Sequence, residues 1–258
     1  MDLGLTGSVA LVAGSSRGIG HAVADCLLAE GARVMLTGRD PAVLEAARAG
    51  LAGRHGEARV LAVAGDLADP ARRDAVLQAT YGAWGRLDVL VAGVGSGAGR
   101  RGWNQGQAEW ERMFAVNLWT SSAMAEAALP GMLAAGRGSI VFISSIAGGE
   151  TLAAPPPYGA AKAALRSYSK ALARELGGSG VRVNCVAPGN VLVAGGGWEG
   201  RLAADRAGVE AYIASEVPLG RFGTPEEIAA VVTFIASPRA AFVTGSWVVA
   251  DGGQTRGY

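Results

Sequence analysis

Short apolar runs alternate with longer helical patterns along almost the whole chain. Strands are predicted at residues 9–13, 33–37, 59–63, 87–91, 139–143, 181–185 and 247–250. Helices are predicted between them, at residues 20–30, 41–54, 70–84, 107–135 and 158–176, with one more beginning at Thr224. Runs that are apolar at consecutive positions are typical of parallel strands buried on both faces. The alternation therefore predicts an α/β fold, a doubly wound Rossmann-type sheet of about seven parallel strands with helices on both faces.

No Pro-rich linker divides the chain, so we expect residues 1–258 to form a single domain. Residues 190–218 fit the alternation least, because three consecutive glycines, 195–197, are followed by weakly helical sequence. A long irregular insert in a compact domain is often a lid or a binding loop. The sequence therefore predicts a substrate-loop insert at about residues 190–218.

Composition argues against several classes of function. Half of the 258 residues are hydrophobic and 17% are charged, which is enough apolar material for a buried core. The net charge of +1 gives no electrostatic footprint for nucleic acid, and the apolar runs are too short for a membrane span. With no evident signal peptide and only Cys26 and Cys185, we expect a cytoplasmic protein without disulfides. His21 and His55 do not combine with these cysteines at a usual zinc-ligand spacing, so no metal site is predicted.

A glycine-rich turn directly follows the first predicted strand and opens the first helix. It consists of Gly14, Ser15, Ser16, Arg17, Gly18, Ile19 and Gly20. Glycines at such a junction permit a tight turn and a close approach of the backbone to a pyrophosphate, which the N–H groups of the helix then face. The position and spacing of this turn predict a dinucleotide-binding site.

Tyr158 and Lys162 are four residues apart on a predicted helix and therefore share one face. The chain has only two lysines, Lys162 and Lys170, although lysine and arginine together number 23. Lysine is a compact cation whereas arginine is a rigid planar fork, so a lysine at this place suggests a specific role beside the phenol. The alternative is an ordinary exposed pair of little energetic value.

In its order of motifs the chain resembles a short-chain dehydrogenase/reductase nearly from end to end. Besides the glycine turn and the Tyr158/Lys162 pair, the resemblance rests on Asp66-Leu67, Ala92-Gly93, Asn117, Ser145, Pro188-Gly189, Val243-Thr244-Gly245 and Asp251-Gly252-Gly253. Most of these motifs follow predicted strands, at the carboxyl ends where open α/β sheets bind ligands. The C-terminal half and the glycine turn are most similar to the 3-oxoacyl-[acyl-carrier-protein] reductase branch.

The resemblance implies a catalytic set formed by Asn117, Ser145, Tyr158 and Lys162. The implied cofactor-binding residues are Gly14, Ser16, Arg17, Gly18, Ile19, Gly20, Arg39, Asp66, Leu67, Ala92, Gly93, Tyr158, Lys162, Pro188, Gly189 and Val191. It also implies NADPH-dependent reduction of a ketone or 3-oxoacyl group to the alcohol, a small-molecule carbonyl or alcohol substrate, and a homotetramer. The alternatives are a sugar or polyol dehydrogenase of the same family and a non-catalytic, dinucleotide-binding regulator.

The implied roles divide the chemistry among these side chains. Tyr158 acts as general acid or base, and Ser145 bonds the reacting oxygen. Lys162 holds the nicotinamide ribose, and Asn117 completes a water-linked proton relay to it. Lys162 and the charge of the oxidised nicotinamide are expected to lower the pKa of Tyr158. Ser145 has the family's spacing to the tyrosine, whereas the neighbouring Ser144 would point to the other side of the strand.

The residues after the second strand favour NADP(H) over NAD(H). No carboxylate stands at Thr37 or Gly38 to accept hydrogen bonds from ribose hydroxyls, and Asp40 is placed to cap the following helix. Arg39 and Arg17 can instead bracket a 2′-phosphate through charge-assisted hydrogen bonds. The alternative is that Arg39 is a solvated turn residue.

Several of these residues also fit a purely structural role. Asn117 could be a helix residue whose side-chain amide is simply hydrogen-bonded within the protein. Ser145 could be a turn residue, and Asp66 a carboxylate at a helix start. Arg100 and Arg101 could meet an anionic substrate, although a solvated loop is the simpler interpretation. The chain departs from the family at residues 90–93, which lack the usual asparagines, and at Val193, where a threonine is common.

Overall fold

The computed structural model describes residues 1–257. A seven-stranded parallel sheet has the order β3-β2-β1-β4-β5-β6-β7. The strands are β1 (Val9–Ala13), β2 (Arg33–Gly38), β3 (Val60–Ala64), β4 (Val89–Ala92), β5 (Gly138–Ile143), β6 (Val181–Pro188) and β7 (Trp247–Ala250). The predicted fold class and the seven predicted strands are confirmed.

Nine helices connect the strands within residues 1–257. They are α1 (Gly18–Ala29), α2 (Pro41–His55), α3 (Pro70–Trp84), α4 (Gln107–Phe114), α5 (Thr120–Ala134), α6 (Pro156–Glu175), α7 (Gly197–Ala204), α8 (Arg206–Glu216) and α9 (Pro225–Ala236). Local sequence fixes several helix starts. Asp40, Asp69 and Thr224 each accept a backbone hydrogen bond at a helix N-terminus and each precede a proline at the first helical position.

One sequence prediction about helices is wrong. The helix predicted over 107–135 is broken into α4 and α5 by a π-helical segment, Ala115–Trp119. The insert at 190–218, where the sequence is only weakly helical, contains two helices, α7 and α8. These helices are stabilised by their own small core of Val209, Ile213 and Val217, which the weak local pattern did not reveal.

The sheet separates two hydrophobic cores. Along β1, Val9, Leu11 and Ala13 face α3, α5 and α6, whereas Ala10 and Val12 face α1, α2 and α9. Both sets are essentially inaccessible to solvent, because successive side chains of a strand point to opposite faces. The sequence of β1 is therefore apolar at every position because each face of the strand packs against a hydrophobic core.

The strand order reverses between β1 and β4, which are hydrogen-bonded neighbours at the centre of the sheet. A crevice opens outside the carboxyl ends of the strands at such a reversal, and it is the usual ligand site of an open α/β sheet. The candidate site therefore lies at this central edge of the sheet.

Within residues 1–257, no helix has the length and apolar character needed to cross a membrane.

Candidate active site

The glycine turn is folded tightly between β1 and the start of α1. A Cβ at Gly20 would overlap the carbonyl oxygen of Gly14, and Gly18 has a φ of +60°, so both positions require glycine. Thr37 of β2 fixes the turn from the side: its Oγ1 accepts from Gly14 N at 3.0 Å, and its N–H donates to Ser15 Oγ at 2.9 Å. Both the close backbone approach and the strand–turn–helix setting fit a pyrophosphate cradle.

The N-terminus of α1 supports the same fit. Arg17 is the residue before the helix, and its side chain makes no capping hydrogen bond. The first N–H groups of α1 thus have no side-chain partner and carry the positive end of the helix dipole, which is the usual arrangement for binding a phosphate. Dinucleotide binding therefore agrees with the residues present here.

The other predicted dinucleotide residues lie along the same edge. Gly93, after β4, faces Gly14, whose Cβ position lies 3.5 Å from the Gly93 carbonyl. Ala92 and Leu67 are buried, whereas Asp66 is exposed and accepts a hydrogen bond from Ala68 N at 3.0 Å. Asp66 is thus not the cap of α3, and its second oxygen has no protein partner within residues 1–257.

Arg17 and Arg39 are exposed, and neither forms an ion pair in the described part of the chain, residues 1–257. Their neighbours Ser16 and Gly38 are in contact, since Ser16 Cβ lies 2.9 Å from the Cβ position of Gly38. The Asp40 carboxylate accepts from two N–H groups of α2, at 2.9 and 3.1 Å, so the predicted capping role is confirmed. Both guanidinium groups therefore remain available to a ligand.

The segment after β6 closes the edge from the other side. Gly189 lies against Asp251, so closely that a Cβ would come within 2.6 Å of its Cβ. Pro188 and Val191 are buried. The side chain of Val193 reaches the glycine turn, with Cγ1 at 3.0 Å from the Cβ position of Gly18. The residues after β6 and the turn after β1 thus form two facing walls.

Ser145 lies directly beyond β5 and meets the phenol of Tyr158. The Ser145 hydroxyl lies close enough to the phenol to lower the pKa of Tyr158 by hydrogen bonding, and it accepts from Ala147 N at 3.2 Å. The turn that carries it, Ile146–Gly148, packs on the first part of α6, because a Cβ at Gly148 would come within 2.7 Å of the Lys162 backbone. Glycine at this position sets the distance between the serine turn and the tyrosine helix.

Ser144 has a different environment. It is buried, and its Oγ donates to the carbonyl oxygen of Lys162 at 3.1 Å. This contact fastens the end of β5 to α6. Ser144 therefore points away from the Tyr158 phenol, as the alternation along a strand predicts.

Lys162 is 3% exposed, and its Nζ donates to the carbonyl oxygen of Ile143 at 2.9 Å. Burial lowers the pKa of Lys162 to about 8, because it disfavours the charged form. The Nζ lies 5.9 Å from the centre of the Tyr158 ring. The ammonium and the phenol are thus neighbours without a direct hydrogen bond.

Without a bound nicotinamide, the pKa of Tyr158 is raised and not lowered. Burial raises the pKa of Tyr158, and the hydrogen bond with Ser145 opposes that effect only in part. The ammonium of Lys162 donates to the Ile143 carbonyl and forms no hydrogen bond with the phenol oxygen. The protein alone therefore keeps the phenol protonated at neutral pH.

Asn117 lies in the π-helical segment and is completely buried. Its Oδ1 accepts from Ser96 N at 2.9 Å, and its Nδ2 donates to Ser96 O at 3.0 Å and to Met113 O at 3.1 Å. Oδ1 and Lys162 Nζ lie 2.9 and 3.0 Å from the Cβ position of Gly95. Asn117 and Lys162 thus both lie beside Gly95, and Asn117 holds the loop after β4.

That loop, residues 93–99, also contributes glycines to the site. Between β4 and residue 100, every second residue is glycine, and two of these glycines face the site. The Cβ position of Gly95 lies beside Asn117 and Lys162, and that of Gly97 lies 3.7 Å from the Tyr158 ring. A wall of backbone atoms therefore lies over the predicted catalytic side chains.

Comparison with known proteins agrees with this geometry. Residues 13–255 match the sequence model of the family described as Enoyl-(Acyl carrier protein) reductase. The D-threitol dehydrogenase of Mycolicibacterium smegmatis is 37% identical over 256 residues, which cover 98% of this chain and 95% of that protein. The 3-oxoacyl-[acyl-carrier-protein] reductase FabG of Escherichia coli is 35% identical over 248 residues, covering 96% and 97%. The chain belongs to the short-chain dehydrogenase/reductase family.

A solved structure of this family has nearly the same fold. The L-sorbose reductase of Gluconobacter frateurii, complexed with NADPH and L-sorbose, superposes with a TM-score of 0.92 at 34% identity, covering 100% of both chains. The resemblance stated from the sequence is thereby confirmed. This short-chain dehydrogenase/reductase is an oxidoreductase that acts on alcohol or carbonyl groups with a nicotinamide dinucleotide.

The basic loop beyond the glycine wall is exposed in this short-chain dehydrogenase/reductase. Arg100 and Arg101 lie on the surface, and Trp103 is 91% exposed. Within residues 1–257, no group of three or more His, Cys, Asp or Glu side chains is arranged to hold a metal ion. The candidate active site accordingly consists of the glycine turn with the residues along the carboxyl ends of the strands, and of Asn117, Ser145, Tyr158 and Lys162.

Proposed function

We propose that this short-chain dehydrogenase/reductase uses NADPH to reduce a ketone or a 3-oxoacyl group to the alcohol, and that it oxidises the alcohol in reverse. The observation that carries the proposal is the position of the Tyr158 phenol, with Ser145 and Lys162 beside it, in a fold whose glycine turn fits a dinucleotide. When bound, the nicotinamide supplies the hydride to the carbonyl carbon.

The proposed roles of the side chains follow from their contacts. Tyr158 donates its phenolic proton to the carbonyl oxygen as general acid, and the Ser145 hydroxyl donates a hydrogen bond to the same oxygen. Because burial raises the pKa of Tyr158, the phenol is protonated and ready to donate at neutral pH. Lys162, with a pKa of about 8, carries a positive charge at neutral pH and stabilises the phenolate that remains.

Two further roles complete the proposal. Lys162 also holds the nicotinamide ribose, and Asn117 links it to a proton relay. The side chain of Asn117 is already bonded to Ser96 and Met113, so such a relay uses the second lone pair of Oδ1 or the backbone of the π-helical segment. Segments of π-helix are frequent at functional sites.

Replacing Tyr158 tests the mechanism. Tyr158→Phe removes the acid and keeps the ring, so the turnover rate should fall at least about 100-fold while the Kd for NADPH stays near normal. The assay follows NADPH oxidation with ketones and 3-oxoacyl esters, with Kd measured separately by fluorescence. Tyr168→Phe, on the same helix and packed on Phe142, is the matched control and should retain activity. Undiminished turnover by Tyr158→Phe would remove Tyr158 from the mechanism.

A sugar or polyol dehydrogenase is the second candidate. It is favoured by the fold similarity to L-sorbose reductase and by the identity with D-threitol dehydrogenase. Measuring kcat/KM for ketoses and polyols beside 3-oxoacyl esters separates the two candidates. Tight NADPH binding without turnover of either class would favour the dinucleotide-binding regulator instead.

We propose a preference for NADP(H), supported by the exposed Arg17 and Arg39 and by the engagement of Asp40 at the start of α2. The Kd for NADPH should be at least about tenfold lower than that for NADH, and Arg39→Ala should reduce this ratio while leaving NADH binding unchanged. Isothermal titration with both cofactors measures the ratio, and a clear preference for NADH would contradict the proposal.

We further propose that the protein is a cytoplasmic homotetramer in which residues 190–218 form the substrate loop. Trp110 and Trp119 are 40% and 51% exposed on the surface of the α4–α5 region, and Phe114 contacts both rings. Apolar surface of this kind supports association across a two-fold axis. Light scattering of the eluted protein gives the mass of the assembly.

A further inference from the structure

Gln254, close to the end of the chain, joins two segments that are distant in sequence. Its side-chain carbonyl accepts from Asn190 Nδ2 at 2.8 Å, and its amide donates to the Tyr212 hydroxyl at 3.1 Å. Gln254 is 4% exposed, so both hydrogen bonds are shielded from water. Asn190 directly follows the Pro188-Gly189 pair, and Tyr212 lies on α8.

We propose that Gln254 is a positioning residue that latches the α7–α8 pair onto the end of β6. The latch sets the position of the substrate loop relative to the carboxyl ends of the strands, where the nicotinamide is proposed to bind. In this respect the inference rests on the proposed function. Three properties of the structure carry the inference. The α7–α8 pair has its own core, the segments that connect it contain glycines, and Gln254 projects from a turn of defined shape.

The α7–α8 pair is rigid because it has its own core. The Trp198 ring stacks on Tyr212 with centroids 5.6 Å apart and meets Phe222 edge-on at 5.2 Å. Val209 and Ile213 are buried beneath them. A segment with such a core moves as one unit instead of unfolding residue by residue.

The segment before the pair and the segment after it each contain a glycine in the left-handed conformation. Gly195 and Gly220 have φ values of +67°, and no atom lies within 4 Å of the Cβ position of Gly220. Outside the small core, backbone hydrogen bonds hold the ends, among them Leu219 N to Gly252 O at 3.1 Å and Gly223 N to Asn190 O at 2.9 Å. A hinged unit held by few bonds depends strongly on each additional one.

The turn that carries Gln254 directly follows β7, whose last residue, Ala250, accepts from Gly189 N after β6 at 3.0 Å. The Asp251 carboxylate accepts from Gly253 N at 2.9 Å and from Thr255 N at 2.7 Å. The Cβ position of Gly252 lies 2.8 Å from Val217, so the turn also packs against the end of α8. Gln254 therefore projects from a rigid support, and its two hydrogen bonds connect that support to both sides of the hinge.

Hydrogen exchange of the apoprotein tests the latch without any substrate. Gln254→Leu keeps the size of the side chain and removes both hydrogen bonds. Each bond is worth roughly a two- to tenfold change in the open population, so the Leu219 and Gly223 amides should exchange at least about twofold faster. Peptides from β1 and β5 should exchange as in the wild type. Unchanged exchange at Leu219 and Gly223 would overturn the proposal.

Two other variants separate the latch from general destabilisation. Gln254→Glu can make both contacts in either protonation state, because Asn190 Nδ2 and the Tyr212 hydroxyl can both donate to it, so it should restore slow exchange. Tyr212→Phe removes one bond from the other side, and combined with Gln254→Leu it should add nothing further. If the effects of Gln254→Leu and Tyr212→Phe were additive, the two residues would not act through one contact.

Enzyme kinetics gives an independent readout. If the α7–α8 pair contacts substrate, Gln254→Leu raises KM for the carbonyl substrate and leaves kcat within about twofold, since only the competent population changes. A fall in kcat at constant KM would instead contradict a positioning role. Faster exchange in a protein that turns over no substrate would keep the latch and refute the proposed function, so the two failures are distinguishable.

Discussion

Replacing Lys162 by methionine should change how the stability of the protein depends on pH. Burial lowers the pKa of Lys162 from its ordinary 10.5 to about 8 in the folded state. In the unfolded chain the ammonium recovers its ordinary pKa. Between about pH 8 and 10.5, the unfolded state therefore binds more protons than the folded state, and the free energy of unfolding rises with pH.

The magnitude follows from the distance between the two pKa values. Each pKa unit corresponds to about 1.4 kcal/mol, so a change from 10.5 to about 8 corresponds to about 3 kcal/mol. Below about pH 8, the lysine is charged in both states, and the burial penalty is present in full. The penalty disappears as pH rises toward 10.5, where the unfolded chain also loses the proton.

Urea unfolding of both proteins at several pH values measures the effect. Methionine keeps most of the side-chain volume and does not titrate, so the wild-type free energy of unfolding minus that of Lys162→Met isolates the lysine. This difference should rise by about 3 kcal/mol between about pH 7 and pH 10.5. Groups that titrate equally in both proteins cancel.

One neighbour requires its own control. Cys185 is buried, its charge interacts with Lys162, and burial raises its pKa to about 11. The same comparison in a Cys185→Ala background removes this interaction. A difference that stays flat or falls with pH would refute the assignment of a buried, readily deprotonated lysine.

Two further pairs of substitutions test the packing of the glycine turn and the roles of the two serines after β5. Gly20→Ala should weaken NADPH binding at least about tenfold and destabilise the fold by about 1–3 kcal/mol, because its Cβ would overlap the Gly14 carbonyl. Gly50→Ala, with no atom within 4 Å of its Cβ position, should instead stabilise α2 by up to about 1 kcal/mol. Calorimetry and cofactor titration measure both, and equal effects would contradict the packing argument. Ser145→Ala should lower kcat with little change in Tm, whereas Ser144→Ala should lower stability by about 1 kcal/mol and spare kcat. The reverse pattern would show that Ser144 is the serine that bonds the reacting oxygen.

The sheet and the glycine turn could be predicted from the sequence because their signals are local. A buried parallel strand is apolar at every position, and a phosphate-binding turn must carry glycines at the junction of strand and helix. Asp40 could be placed for the same reason, since a cap and a proline at the next position are adjacent in the chain. The strand order then brings these local motifs to one edge.

The features that were missed depend on contacts between distant residues. The π-helical segment interrupts a continuous helical pattern, and the bonds of Asn117 to Ser96 come from a loop 21 residues earlier. The helices α7 and α8 are weakly encoded locally and are stabilised by the stacking of Trp198 on Tyr212. The pKa of Tyr158 is raised by burial, which results from tertiary packing and which helical spacing does not determine.

The shortage of lysine has a practical consequence. Lys162 is inaccessible, whereas Lys170 is exposed, with its Nζ donating to the Gly245 carbonyl at 3.0 Å. Amine-directed reagents therefore meet a single accessible lysine side chain, on the outside of α6 and eight residues from the buried one. Of the two lysines, acylation with biotin or a dye should label Lys170 and leave the ammonium beside Tyr158 unmodified. A label on Lys170 thus reports on the outside of α6 without altering the candidate active site.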